Sequence, residues 1–244
     1  MKVALICFSL TGQQTGERLC RGLEAAGMTA ELDKKSKYLL DSIQISTSAW
    51  AGEKFSDSDA LIFIGATGIA VRSIAPYVAS KKSDPAVLVV DECGKFVISL
   101  LSGHLGGANE LALKTAEILE AIPVVTTATD LHHRFAVDVF AKKNHLYLTE
   151  REAAKQISAA VLDGKQVGLW IGEGLVFKQE DFQKSCLKEL ILCGSKEELY
   201  SFAEEHPVIV ITKTAEEGRQ FVESLAGSLW GDVRNNVCGC ERKP

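Results

Sequence analysis

The sequence predicts an α/β protein: an open, mostly parallel sheet with helices on both faces, followed by a second, smaller α/β domain. Three observations carry this. Short, unbroken apolar runs recur at Lys2–Phe8, Asp59–Ile64, Ala86–Val90 and Phe96–Leu101, the texture of strands covered on both faces. Glycine- and hydroxyl-rich turns follow several of them and lead into segments of helical periodicity. Strand and helix patterns then continue to alternate from residue 137 onward.

In chain order, Lys2–Phe8 is a buried strand, Ser9–Gly16 a polar turn, and the apolar positions Leu19 and Leu23 mark a helix that stops at Gly27. Met28–Leu32 is a short second strand. Residues 34–58 are polar and weakly patterned and read as a surface connection, with a flap as the alternative. Asp59–Ile64 is the next strand, and Gly65-Ala66-Thr67-Gly68 opens a helix to about Ala79, in which Pro76 leaves the boundary open. Ala86–Val90 and Phe96–Leu101 flank Asp91–Lys95, a tight hairpin with glycine at position 94. Ser102-Gly103-His104-Leu105-Gly106-Gly107 then starts a helix whose inward face is Ala108, Leu111, Ala112, Thr115, Ala116 and Leu119. Pro123–Asp130 is a strand running into a hydroxyl-rich turn, which Leu131–Phe135 continues.

The second half reads as a helix at Val137–Lys143, an extended Leu146–Leu148, a helix at Thr149–Leu162 and a strand at Gln166–Ile171. A helix at Ser195–Glu205 and a strand at Val208–Thr212 follow. Thr149 with Glu152, and Ser195 with Glu198, have the spacing of capping boxes. The divisions are 1–136, 137–231 and a tail, 232–244.

The bulk properties narrow the function. A chain of 244 residues with 46% hydrophobic content folds around a core, and a net charge of -5 argues against a nucleic-acid surface. No apolar run nears the roughly 18 residues of a membrane span, and the N-terminus opens directly into a strand, so a cytoplasmic protein is expected. Seven cysteines, scattered and without zinc-ribbon or paired redox spacing, read as reduced thiols. Neither a Gly-Lys-Ser/Thr phosphate loop nor a dinucleotide fingerprint is present.

In an open parallel sheet the turns gather at the carboxyl edge, so Thr11-Gly12, Thr67-Gly68, Gly103-His104 and Thr126–Asp130 are expected to converge on one cleft. His104, between glycines at a helix start, is the leading candidate for a general base, with capping as the plain alternative. Asp91 and Glu92 could assist it or simply be solvated. Arg72, Lys81, Lys82, Lys95 and Arg134 offer charge for carboxylates. The Ser9–Gly16 turn could cradle a phosphate or only cap its helix. His132-His133 point apart in an extended segment, and no third metal ligand is evident.

Three blocks resemble a known family: GATGIAVRSIAP (65–76), DPAVLVVDECGKFVISLLSGHLGGANELA (84–112) and PVVTTATD (123–130) are similar to the hallmark segments of cobalt-precorrin-5A hydrolases of anaerobic cobalamin synthesis. The resemblance implies opening of the δ-lactone of cobalt-precorrin-5A and release of acetaldehyde to give cobalt-precorrin-5B. It implies no protein cofactor or metal, since cobalt arrives in the tetrapyrrole substrate, and contacts with neighbouring pathway enzymes for hand-over. On this reading His104, Asp91 and Glu92 are catalytic. The substrate contacts are Thr67, Gly68, Arg72, Lys81, Lys82, Ser102, Gly103, Gly106, Gly107, Asn109, Thr127 and Asp130. Val237-Cys238-Gly239-Cys240 is similar to the start of the family's further C-terminal domain, cut short. A flavodoxin-like FMN-binding protein and a non-catalytic tetrapyrrole carrier are the alternatives.

Overall fold

The computed structural model describes residues 1–80, 83–104, 106–131, 135–144, 146–148, 151–172, 175, 189–228 and 237–242. They fall into two units, Met1–Thr127 and Ala128–Pro244.

The first unit is built on β1 (Lys2–Cys7), β2 (Thr29–Lys34), β3 (Ala60–Ile64), β4 (Ala86–Val90), β5 (Phe96–Leu101) and β6 (Ile122–Val124). They form one sheet in the order β2-β1-β3-β4-β5-β6. The first four are mutually parallel, β5 turns back antiparallel to β4, and β6 runs parallel to β5. Alternate residues of the same strands serve two cores. Val3, Leu5, Ile62, Ile64, Leu88 and Val90 pack beneath α1 (Leu10–Ala25) and α4 (Ala108–Leu119). Ala4, Ile6, Leu61, Phe63, Val87 and Val89 pack beneath α2 (Thr47–Asp57) and α3 (Thr67–Ile74). Strands buried on both sides need apolar residues at every position, which is why they are so visible in the sequence.

Helix α2 replaces the surface connection expected over 34–58. Its inward face is little more than Trp50 and Ala51, too small for a helical period to stand out. It is fixed instead by Ser46, whose hydroxyl accepts from the Ala49 amide at 3.1 Å, and by the Trp50 indole, which donates to Asp33 at 2.7 Å. Helix α3 stops at Ile74, with Ala75 as its C-cap, so Pro76 lies just beyond the helix and not within it.

The second unit holds β7 (Leu146–Leu148), β8 (Val167–Ile171), β9 (Leu190–Leu192), β10 (Val208–Thr212) and β11 (Val237–Arg242), in the order β7-β11-β10-β8-β9. Its helices are α5 (Ala128–Leu131), α6 (Val137–Lys143), α7 (Arg151–Leu162), α8 (Lys196–Ala203) and α9 (Ala215–Ser228). One face of the sheet packs on α6 and α7, the other on α8 and α9. Two expectations change here. The stretch expected to be a tail contains β11, paired with β10 on one side and β7 on the other. The division between units falls after Thr127, ahead of the expected 136. Ser195 caps α8 as expected, accepting from the Glu198 amide at 3.1 Å. Thr149 lies outside the described residues.

Burial also fixes the chemistry of two thiols. Cys7 in β1 and Cys20 in α1 are each pushed up to about 11, chiefly because burial penalises the thiolate. The unfolded chain releases these protons near the ordinary thiol value and the folded chain does not. Stability should therefore fall as pH rises from about 9 to about 11. Melting temperatures across that range should decline less steeply in a Cys7→Ala/Cys20→Ala variant.

Candidate functional site

The antiparallel turn between β4 and β5 divides the expected site in two. The strands β1, β3 and β4 all end at one edge of the sheet, where the turns at Ser9–Gly12 and Gly65–Gly68 and the Asp91–Gly94 hairpin lie. β5 begins at that edge and ends at the opposite one. It therefore delivers Ser102–Gly107 to the far side, and β6, parallel to β5, delivers Thr126-Thr127 there too. Six extended residues at about 3.3 Å each put roughly 20 Å along β5 between them. The single shared cleft is thus overturned, and neither Asp91 nor Glu92 can assist His104.

What the hairpin acids do instead is plain from their partners. The Asp91 carboxylate accepts from the amides of Cys93, Lys95 and Phe96 at 3.0, 2.8 and 2.6 Å, so it organises the turn. Glu92 ties the hairpin to α1: its carboxylate accepts from the Ser9 hydroxyl at 2.6 Å and its carbonyl from the Thr15 hydroxyl at 2.7 Å. Replacing Asp91 with Ala strands three amide donors and should cost about 2 kcal/mol in chemical denaturation.

Ser9 also caps α1, accepting from the Gly12 amide at 3.0 Å. With Glu92 beside it, the position a phosphate would take already holds negative charge. This opposes the FMN reading of the Ser9–Gly16 turn.

The remaining groups at this edge are unspent. α3 has no side-chain cap, and among the described residues the Thr67 and Gly68 amides donate to nothing. Arg72 lies one turn along, and its side chain leans back toward the helix start, as helical side chains do. A Cβ built on Gly68 would lie 3.3 Å from the Arg72 guanidinium. Two amides and a guanidinium gathered in this way suit a carboxylate. The edge is also the point where the strand order reverses, β2 lying on one flank of β1 and β3 on the other.

At the opposite edge the Ser102–Gly107 loop is folded upon itself. The Ala108 amide donates to the Ser102 carbonyl, Asn109 to Gly103 and Gly107 to His104, at 3.1, 3.0 and 3.1 Å. The expected row of open amides at the start of α4 is therefore mostly consumed, Gly107 included. Among the described residues the Gly106 amide remains without an acceptor. Ser102 holds the left-handed φ of 59°, steadied by its buried hydroxyl, which donates to the Asp84 carbonyl at 3.0 Å. His104 is half-buried in this loop.

Asn109, expected to touch substrate, is only 6% exposed and works as a strut. Its side-chain oxygen accepts from Ser99 at 2.6 Å and its amide donates to Thr127 at 2.8 Å, joining β5, α4 and the segment after β6. Ser99 and Asp84 were missed by sequence reasoning. The available signals were a lone hydroxyl within an apolar strand and an aspartate before proline, whose carboxylate accepts from the Ala79 and Ser80 amides at 3.0 Å.

Lys81, Lys82, His132, His133 and Arg134 lie outside the described residues, as does the Asp130 side chain. Among the described residues no three His, Cys, Asp or Glu side chains gather as metal ligands, and no helix is long and apolar enough to cross a membrane.

Two family models match the chain: cobalamin synthesis G N-terminal over residues 49–130, and cobalamin biosynthesis central region over residues 135–222. The chain belongs to the cobalamin synthesis G family. Its family blocks lie on both edges of the first sheet, and the central-region match falls on the second unit. A Salmonella typhimurium relative named cobalt-precorrin-5A hydrolase is 42% identical over 170 residues, 69% of this chain and 48% of that protein. A Priestia megaterium relative of the same name is 43% identical over 115 residues, 47% of this chain and 31% of that one. The chain thus spans about half the length of the Salmonella relative and about a third of the other. A crystal structure of a cobalamin biosynthesis protein G homologue from Sulfolobus solfataricus superposes with a TM-score of 0.51 at 19% identity, over 99% of this chain and 60% of that one, which supports the fold.

Proposed function

We propose that this protein hydrolyses the δ-lactone of cobalt-precorrin-5A, releasing acetaldehyde and leaving cobalt-precorrin-5B. The observation that carries the reading is the 42% identity to the Salmonella hydrolase across 170 residues, together with the family model matched over 49–130, where the three blocks lie.

Lactone opening needs a base to take a proton from water and a donor for the oxyanion that forms at the carbonyl. The His104 edge supplies both types of group, an imidazole and the unspent Gly106 amide in one short loop. We assign water activation to His104 and oxyanion support to Gly106, with Ser102, Gly103, Gly107, Asn109 and Thr127 shaping the loop around them. Lys81, Lys82 and Asp130 complete the substrate contacts in this reading. Thr67, Gly68 and Arg72, on the other edge, form a separate place suited to a carboxylate and take no part in proton transfer. Cobalt enters with the substrate, the protein brings no cofactor, and the reaction belongs to the cytoplasm, with hand-over to neighbouring pathway enzymes.

Purified protein incubated anaerobically with cobalt-precorrin-5A should release trappable acetaldehyde in step with loss of the lactone. Tight binding without aldehyde would assign the carrier role instead.

A further inference from the structure

The second sheet has its own reversal of strand order. From β8 the chain moves out to β9, then returns to place β10 on the other flank of β8, all three parallel. Ligands of open α/β sheets take the crevice outside the carboxyl ends of strands at such a point. A crevice of about 520 Å³ lies there, walled by Trp170, Tyr200 and Phe221 and edged by Lys196, Lys213 and Glu217.

The wall is flat and aromatic. Phe221 stacks on Trp170 with ring centroids 4.8 Å apart and planes at 16°, and on Tyr200 at 5.9 Å and 1°. Packing of α8 and α9 on the sheet accounts for this stack. It does not account for the charge at the mouth. The Lys196 ammonium lies over the Trp170 and Phe221 rings, 5.5 and 5.4 Å from their centroids, held by rings and not by a carboxylate. Lys213 has no acidic partner for its ammonium among the described residues, and the nearby Glu217 carboxylate accepts from the Lys213 backbone amide at 3.2 Å. Among the described residues neither ammonium forms an ion pair, and the one carboxylate lining the crevice, Glu217, is bound to a backbone amide, so the mouth keeps an excess of positive charge in a chain of net charge -5.

The charge pattern selects the kind of anion. The first turns of α8 and α9 carry Glu197 and Glu198, and Glu216 and Glu217, so the helix starts that would hold a phosphate are already acidic. Carboxylates gripped by lysines avoid those positions. We propose that this crevice is a binding site for a flat, conjugated ring bearing carboxylates, its apolar body against the half-buried Tyr200 ring and the exposed edges of the buried Trp170 and Phe221, its carboxylates on Lys196 and Lys213. The inference rests on the lactone-hydrolase reading for its ligand class, since a tetrapyrrole with acetate and propionate arms has this chemistry. It assigns the second unit a docking function that water activation at His104 does not include.

The test is titration of the whole protein into uroporphyrin, an octacarboxylic tetrapyrrole, followed by anisotropy of the porphyrin's own emission. Saturable binding is expected. A Lys196→Gln/Lys213→Gln variant, altered only at exposed side chains and checked for fold by circular dichroism, should bind about tenfold more weakly. Adenosine monophosphate, a flat ring with a phosphate, should not compete. Absence of saturable binding, unchanged affinity in the double variant, or competition by the nucleotide would overturn the assignment. A His104→Ala variant should bind uroporphyrin as the unaltered protein does. Absence of aldehyde release from the unaltered protein, with its porphyrin binding intact, would therefore count against the hydrolase reading alone.

Discussion

Deleting residues 232–244 should unfold the second unit and leave the first intact. β11 lies inside its sheet, matched residue for residue to β10 from Val208↔Val237 to Thr212↔Glu241 and antiparallel to β7 from Cys240↔Leu148 to Arg242↔Leu146. Without it β10 loses a ladder of five paired residues, β7 loses its only sheet partner among the described residues, and the face covering α6 and α7 is opened to water. A domain is stable by only about 5–15 kcal/mol, and removal of an interior strand exceeds that margin. Calorimetry should show one unfolding transition disappear while the other keeps its midpoint. Two unchanged transitions would return these residues to the status of a tail.

Gly106→Ala is expected to have the second large effect. A Cβ at position 106 would fall 2.3 Å from the Ser102 Cβ and 2.8 Å from the Ser102 carbonyl oxygen, the oxygen that accepts from Ala108. The contact is with backbone and the root of a side chain, so no rotamer change relieves it. The loop must open, releasing the Ala108–Ser102 and Asn109–Gly103 hydrogen bonds and the left-handed Ser102 that they hold. Overpacking of this kind costs about 1–3 kcal/mol, and the displaced loop also moves His104. Urea denaturation should report the first quantity, and aldehyde release should fall by far more than the stability loss implies. Gly107→Ala tests the neighbouring constraint, because Gly107 sits at a φ of 84° where a side chain is strained.

Much of this was legible in the residues, for identifiable reasons. β1, β3 and β4 are buried on both faces, so an unbroken apolar run marked each of them. The inward face of α4 was read residue by residue because seven of its twelve residues are buried. β9, with three residues and a partly exposed pattern, left no comparable signal. α9 was also missed, since its first turn is acidic and its interior holds Gly218. The more instructive failure concerns the site. A hairpin at Asp91–Lys95 was recognised, and a hairpin reverses the chain. The turn after β5 must then leave from the opposite edge to the turns after β1 and β3. Combining these turns into one cleft ignores a consequence of the hairpin itself. Asp91 and Glu92 escaped correct assignment for another reason: a carboxylate that ties a turn together looks, in sequence, the same as one placed for chemistry.

The claim that proton transfer belongs to the His104 edge is tested most directly by comparing kcat for acetaldehyde release in His104→Ala and Arg72→Ala, each confirmed folded by its melting transition. His104→Ala should reduce kcat to background, whereas Arg72→Ala, on the opposite edge of the sheet, should leave kcat unchanged. A His104→Ala protein that turns over normally while Arg72→Ala is inert would place the chemistry at the start of α3 and contradict the account.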